Sequence, residues 1–208
     1  MPKLKPKKCR ICSTEYMPRN SLQRVCSIPC SIEDARRKEN EKWKKEIKEK
    51  HKTHSDYENE LQPIINEICR LIDKEQRCIS CDRVPKKNNA GHRFSVGSNN
   101  SLRFNLSNLA NQCNHCNENL SGNPDGYDEG LIRVYGKEYY EYVKFELKPL
   151  YKEVKLSVPE LMAARAIAMK IRNHLKKENK IYTPSERIAL RDKYNKEIGI
   201  YLQGFLDK

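Results

Sequence analysis

Cys78-Ile79-Ser80-Cys81 and Cys113-Asn114-His115-Cys116 enclose Asn89-Ala90-Gly91-His92-Arg93-Phe94-Ser95-Val96, a Gly/Asn/Ser loop, Leu102-Arg103-Phe104 and Asn108-Leu109-Ala110-Asn111-Gln112. This stretch decides the fold. Two Cys-x-x-Cys couples can place four thiolates at the corners of a tetrahedron, a donor set that suits Zn²⁺ and leaves no open coordination position. A site that only staples a loop does not need the 31 residues between Cys81 and Cys113. The pattern predicts a short strand, a loop, and a second strand feeding a helix opened by the second couple.

A second quartet lies upstream, where Cys9/Cys12 and Cys26/Cys30 are separated by 13 residues that include Arg19 and Arg24. The spacing predicts a zinc-ribbon module over residues 1–30, so the chain is expected to hold two structural zinc ions. The N-terminus lacks the apolar run of an export signal, which points to a reducing compartment and to metal rather than disulfides. Iron–sulfur ligation is the alternative for either quartet, but such clusters usually show tighter cysteine runs. The ninth cysteine, Cys69, sits in the helical apolar pattern Ile64-Ile65-Asn66-Glu67-Ile68-Cys69-Arg70-Leu71-Ile72 and reads as a packed core thiol.

Of the 208 residues, 37% are hydrophobic and 33% charged, which argues for stapled, modular pieces rather than one thick core. No run approaches 18 consecutive apolar residues, so no membrane partner is expected and the protein reads as soluble. The net charge of +13 is concentrated in residues 1–54, while the centre is balanced. That asymmetry suits a polyanion, with nucleic acid ahead of a membrane surface.

The fold class expected is α+β, mainly α-helical. After the module at 1–30, residues 31–76 read as a basic helical linker. A helix start is expected at Ser31 and Asp34, Trp43 and Ile47 are its few apolar points, and Pro63 opens a more amphipathic helix to about Asp73. The core at 77–124 closes with a turn at Pro124-Asp125-Gly126. Residues 125–208 are expected to be helical, as a packing or oligomerisation element. One helix starts at Ser157, with Leu161, Ala164, Ala168, Ile171 and Leu175 on one face. The last starts at Thr183, with Ile188, Tyr194, Ile198, Tyr201 and Leu202 apolar.

His92 on the first strand, Asn108 five residues before the second couple and Asn117 just after it resemble the HNH, or ββα-metal, nuclease pattern. The wider chain resembles the phage NinG/Rap recombination proteins. The resemblance is carried by Cys9 to Cys30 with Pro18 to Ser27 between, Cys78-Ile79-Ser80-Cys81, Ala90-Gly91-His92, Leu102-Arg103-Phe104-Asn105, Gln112-Cys113 and Ser121-Gly122-Asn123. It covers most of residues 7–135 and thins over the C-terminal helices. It implies an endonuclease that cuts branched DNA, such as D-loops and Holliday junctions, during phage or prophage recombination in the cytoplasm of a bacterial host. It also implies distant kinship with the phage resolvase endonuclease VII.

Within that resemblance His92 is the expected general base and Asn108 holds its loop. Asn117 is the expected ligand of a catalytic Mg²⁺ or Mn²⁺, with Glu118 or Asn89 helping to complete the set. Arg83, Lys86, Lys87, Arg93 and Arg103 surround the site and are expected on DNA phosphates. Phe94 and Phe104 are candidates for base stacking, against a core role. His115 is expected to face solvent or phosphate rather than metal. Two-fold junctions suit a homodimer, and host recombination proteins are the other expected partners. Two positions depart from the family: Asn89 stands where it usually has Asp, and Leu120 where it commonly has Lys. Asn89 and Asn117, as weak metal ligands, raise the rival reading of a non-catalytic DNA-binding adaptor. The basic N-terminal module raises another, an RNA-binding zinc protein.

Overall fold

The computed structural model describes residues 4–207, which belong to two compact units, Met1–Thr53 and His54–Lys208. In the first unit, strands β1 (Lys7–Lys8) and β2 (Glu15–Tyr16) pair antiparallel around the Cys9–Cys12 turn, with Ser13 at φ +62°. Helix α1 (Ile28–Lys50) follows. It starts at Ser27, not at Ser31, because the Ser27 hydroxyl accepts the Cys30 N–H and Pro29 fills the first turn. The Cys26/Cys30 couple therefore sits on a helix N-terminus rather than in the second knuckle of a ribbon. Only Asp34 of α1 is buried. The rest is sustained by solvent-exposed pairs one turn apart, such as Glu33–Arg37 at 2.9 Å and Lys42–Glu46 at 3.8 Å.

The second unit begins with α2 (His54–Ile72), so the stretch read as one linker is two unlike helices in two units. Pro63 lies inside α2 instead of opening it. An interior proline costs about 3 kcal/mol. Leu61, Ile65, Ile68 and Ile72 are wholly buried, and at roughly 1.5–3 kcal/mol each they outweigh it. Cys69 lies among them as a core thiol. Strands β3 (Asn88–His92) and β4 (Leu109–Cys113) form an antiparallel hairpin in which His92 faces Leu109 across the register. A π-helical turn, His115–Asn119, follows β4, so the order strand, loop, strand, helical turn is as expected.

Pro124 opens helix α3 (Pro124–Tyr135) rather than ending a turn. Gly126 and Gly130 explain why that helix can sit where it does. A Cβ at either would lie 2.5 Å from the Ser80 carbonyl oxygen and 1.8 Å from that of Ile79, so bare backbone lets α3 press onto the Cys78–Cys81 knuckle. Helices α4 (Lys137–Glu141) and α5 (Leu147–Leu150) flank a second π-helical turn at Tyr142–Glu146. Helices α6 (Val158–Glu178) and α7 (Pro184–Ile198) start at Ser157 and Thr183, as read from the sequence, and the structure adds a capping box at Ser157 to the one expected at Thr183.

The buried face of α6 is Leu161, Ala164, Ala168, Ile171 and Leu175, and it packs with α2 in one core. Leu202 is 68% exposed, because α7 ends at Gly199, whose φ of +86° turns the chain away. Leu109 joins the α2–α6 core while its neighbour Ala110 joins a second core around Tyr127, Leu131, Tyr139 and Tyr142. The hairpin is thus buried on both faces, and the C-terminal helices serve it as packing. Among the described residues no helix is long and apolar enough to cross a membrane.

Candidate active site

The four Sγ atoms of Cys78, Cys81, Cys113 and Cys116 lie within 4.8 Å of one another, as do those of Cys9, Cys12, Cys26 and Cys30. Zinc about 2.3 Å from each sulfur requires tetrahedral edges of about 3.8 Å. The observed edges Cys12–Cys26, Cys26–Cys30 and Cys81–Cys113 are 3.6, 3.7 and 3.8 Å. Both quartets therefore fit zinc and close on themselves. Hydrogen bonding by the backbone N–H of Cys12 pulls the Cys9 thiol below its ordinary value, which favours the thiolate form that zinc needs. His115 is exposed beside Asn119 and belongs to neither cluster.

Gly91 has no side chain because Gln112 crosses it; a Cβ there would lie 2.0 Å from Gln112 Oε1. The Gln112 amide donates to Ser80 Oγ at 2.7 Å and to the Gly122 carbonyl at 2.5 Å. One side chain thus ties the zinc knuckle, the hairpin and the loop after the helical turn together. Gln112 was legible as part of a motif, but its bracing role was not.

His92 follows at the end of β3, partly buried. Its Nε2 lies 2.9 Å from the Arg103 carbonyl oxygen, which can only accept, so Nε2 carries the proton. Nδ1 keeps its lone pair and has no hydrogen-bond partner among the described residues. Burial pushes the imidazole below its ordinary value, and the Arg103 guanidinium adds to this against the carbonyl's opposite pull. Asn108 is wholly buried and accepts the Phe94 N–H at 2.8 Å. Its own amide donates to the carbonyls of Phe94 and Leu102, at 3.0 and 3.2 Å. The loop that leaves His92 is therefore clamped at both edges.

Asn117 sits in the π-helical turn, partly buried, and its amide makes no hydrogen bond among the described residues. The loop beyond this turn approaches β3, since a Cβ on Gly122 would lie 4.0 Å from the His92 carbonyl oxygen. Asn89 donates to Asn114 Oδ1 and to Glu118 Oε1, both at 3.2 Å. Asn89 thus holds the Glu118 carboxylate, where a second carboxylate would repel it.

The five cationic candidates divide. Arg83, Lys86 and Lys87 are exposed around a groove of about 510 Å³ beside the zinc knuckle, which Leu120 also lines. Arg93 and Arg103 are not available to phosphate in this way. Arg93 makes a two-pronged pair with the buried Asp128, one prong at 2.8 Å. Arg103 donates to Gln62 at 3.0 Å, Glu58 at 3.1 Å and Asn59 at 2.9 Å, all on α2. Both guanidiniums carry the loop's framework instead. Phe104 is 3% exposed and is core; Phe94 is partly buried beneath Arg93.

A family model described as bacteriophage lambda NinG protein matches residues 1–180. The chain belongs to the NinG family. The match spans both cysteine quartets, the hairpin and all of α6 of this NinG-family chain, further than the sequence motifs alone reach. Comparison with curated proteins and with solved structures finds no match.

Proposed function

We propose that this NinG-family chain acts in phage recombination as a metal-dependent endonuclease that cuts branched DNA, with His92 as general base. The observation that carries the reading is the state of His92: Nε2 is tied to the Arg103 carbonyl, Nδ1 is unpartnered among the described residues, and burial favours the neutral ring. A neutral, oriented imidazole is what activation of water needs at pH 7. Nδ1 takes a proton from water as its oxygen attacks phosphorus, the P–O3′ bond breaks, and the leaving oxygen is protonated from solvent. Asn108 keeps Nδ1 aimed, and Arg83, Lys86 and Lys87 hold the backbone on either side of the scissile phosphate. The Asn117 amide oxygen and the Glu118 carboxylate are hard donors that fit Mg²⁺ or Mn²⁺, which would neutralise charge on the phosphate and leaving oxygen. The cysteine clusters, closed by their four ligands, serve structure only.

The test is cleavage of end-labelled D-loops, four-way junctions and matched linear duplex in Mg²⁺ or Mn²⁺, with wild type and His92→Ala. Cuts near the branch that fall by about 10²–10⁴ in the variant support the assignment, the range expected for a general base. Cleavage that survives His92→Ala removes His92 from the chemistry. Tight junction binding with no cleavage in either metal replaces the nuclease with a DNA-binding adaptor.

A further inference from the structure

The loop leaving His92 is linked to an exposed aromatic group that the chemistry above does not use. Arg93, the next residue, donates to Asp128 Oδ2 at 2.8 Å, and Lys144 reaches the same oxygen at 3.0 Å. Burial alone would raise the Asp128 carboxyl, but these two cations hold it below its usual value, so it stays charged and the trio carries one excess positive charge. Lys144 is fixed further by the Tyr140 hydroxyl at 2.8 Å. Its ammonium lies 5.2 Å from the Tyr140 ring centre and 5.6 Å from that of Phe145. Those rings meet edge to face at 6.2 Å and 77°, and Phe145 is 59% exposed.

The backbone beneath is the second π-helical turn, Tyr142–Glu146. Such turns are rare, insert one extra residue into a helix, and concentrate at functional sites. Here Tyr142 and Val143 are buried while Phe145 is turned outward. A rigid aromatic face beside a fixed cation is the combination that holds an unpaired base: the ring stacks on the base, and the charge meets its phosphate. Paired bases in a continuous duplex have no free face to offer.

We propose that Phe145, backed by Tyr140 and Lys144, is a stacking shelf for an unpaired base at a junction between duplex and single-stranded DNA. This rests on the endonuclease reading of the hairpin and adds to it a group that selects DNA with an unpaired arm.

The experiment compares binding of a forked duplex with an unpaired oligo-dT arm and of a matched linear duplex, using zinc-loaded full-length protein. Phe145→Ala is expected to weaken the fork by roughly 5- to 100-fold, the alanine cost of one base–aromatic stack, and the matched duplex by less than about 2-fold. Phe145→Trp should restore the fork preference, and its added fluorescence should be quenched by the oligo-dT arm. Equal loss on both substrates, or no loss on the fork, overturns the shelf. So does a wild type that binds no unpaired DNA. A wild type that binds the fork with the preference described but never cuts it sinks the endonuclease reading and leaves the shelf standing.

Discussion

Replacing Asp73 by Asn tests what holds the hairpin on its support. Asp73 is 1% exposed and takes the Arg191 guanidinium at 2.8 and 2.7 Å on its two oxygens. Arg187 lies at 3.3 Å, and the Asn111 N–H of β4 donates at 2.9 Å. Arg191 also reaches the carbonyl of Leu106, so one carboxylate joins α2, the hairpin and α7. Asparagine has nearly the same volume and keeps an acceptor, so the change removes charge and little else. The two buried guanidiniums would keep the Tyr135 ring, 4.9 and 5.5 Å away, and Arg191 its backbone carbonyls, but both would lose the carboxylate charge that pairs them. Breaking one side of a buried pair costs about 3–5 kcal/mol. At about 2–4 °C per kcal/mol for a unit of this size, Tm should fall by roughly 6–20 °C. Denaturant unfolding of the zinc-loaded protein, followed by circular dichroism, should show a lower midpoint at unchanged slope. Lys137→Ala is the control: its partner Glu141 is 3.6 Å away and both side chains are open to solvent, so less than about 1 kcal/mol is expected. If Asp73→Asn costs no more than that control, the cluster is not what holds the hairpin.

Metal analysis should find two zinc ions per chain, and a chelator should remove them in two phases. The first quartet, with Cys12 exposed and only Cys9 buried, should empty before the second, in which Cys78 and Cys116 are both buried. Simultaneous release would contradict the burial argument. The pH–rate profile should carry an acid limb below 6.5, the ordinary imidazole value, because burial depresses His92. The same shift makes the unfolded chain bind the proton first, so the His92 contribution to stability is complete above about 6.5 and is lost as pH falls toward the folded value. A limb above pH 7, or an acid stability slope unchanged in His92→Gln, would contradict this. Asn89→Asp should place a carboxylate against Glu118, 3.2 Å from the present amide nitrogen. Calorimetric titration should then show Mn²⁺ binding tightened several-fold, with stability reduced when the divalent ion is left out; no change in affinity would remove Asn89 from the metal's surroundings.

What could be read along the chain was whatever local physics determines. The cysteine couples carry their own geometry, and Ser157 and the capping box at Thr183 announce helices whose first turns they satisfy. The three- and four-residue spacing from Leu161 to Leu175 named the buried face of α6, because helix period alone determines which side chains share a face. The hairpin order was legible through the same short-range spacing, whereas His92 and Asn108 were singled out by the resemblance to the HNH pattern. Tertiary structure decided the rest. Pro63 reads as a start until Leu61 through Ile72 find α6, and that burial outweighs the proline. Arg93 and Arg103 read as free cations because charge is visible in a sequence while its partner is not. Asp128 lies 35 residues from one, and Glu58 45 residues before the other. The Asp73 cluster and the Arg93–Asp128–Lys144 trio each join residues distant in the chain. Sequence period describes one element at a time, and the pairing of buried charges between elements depends on the packed state.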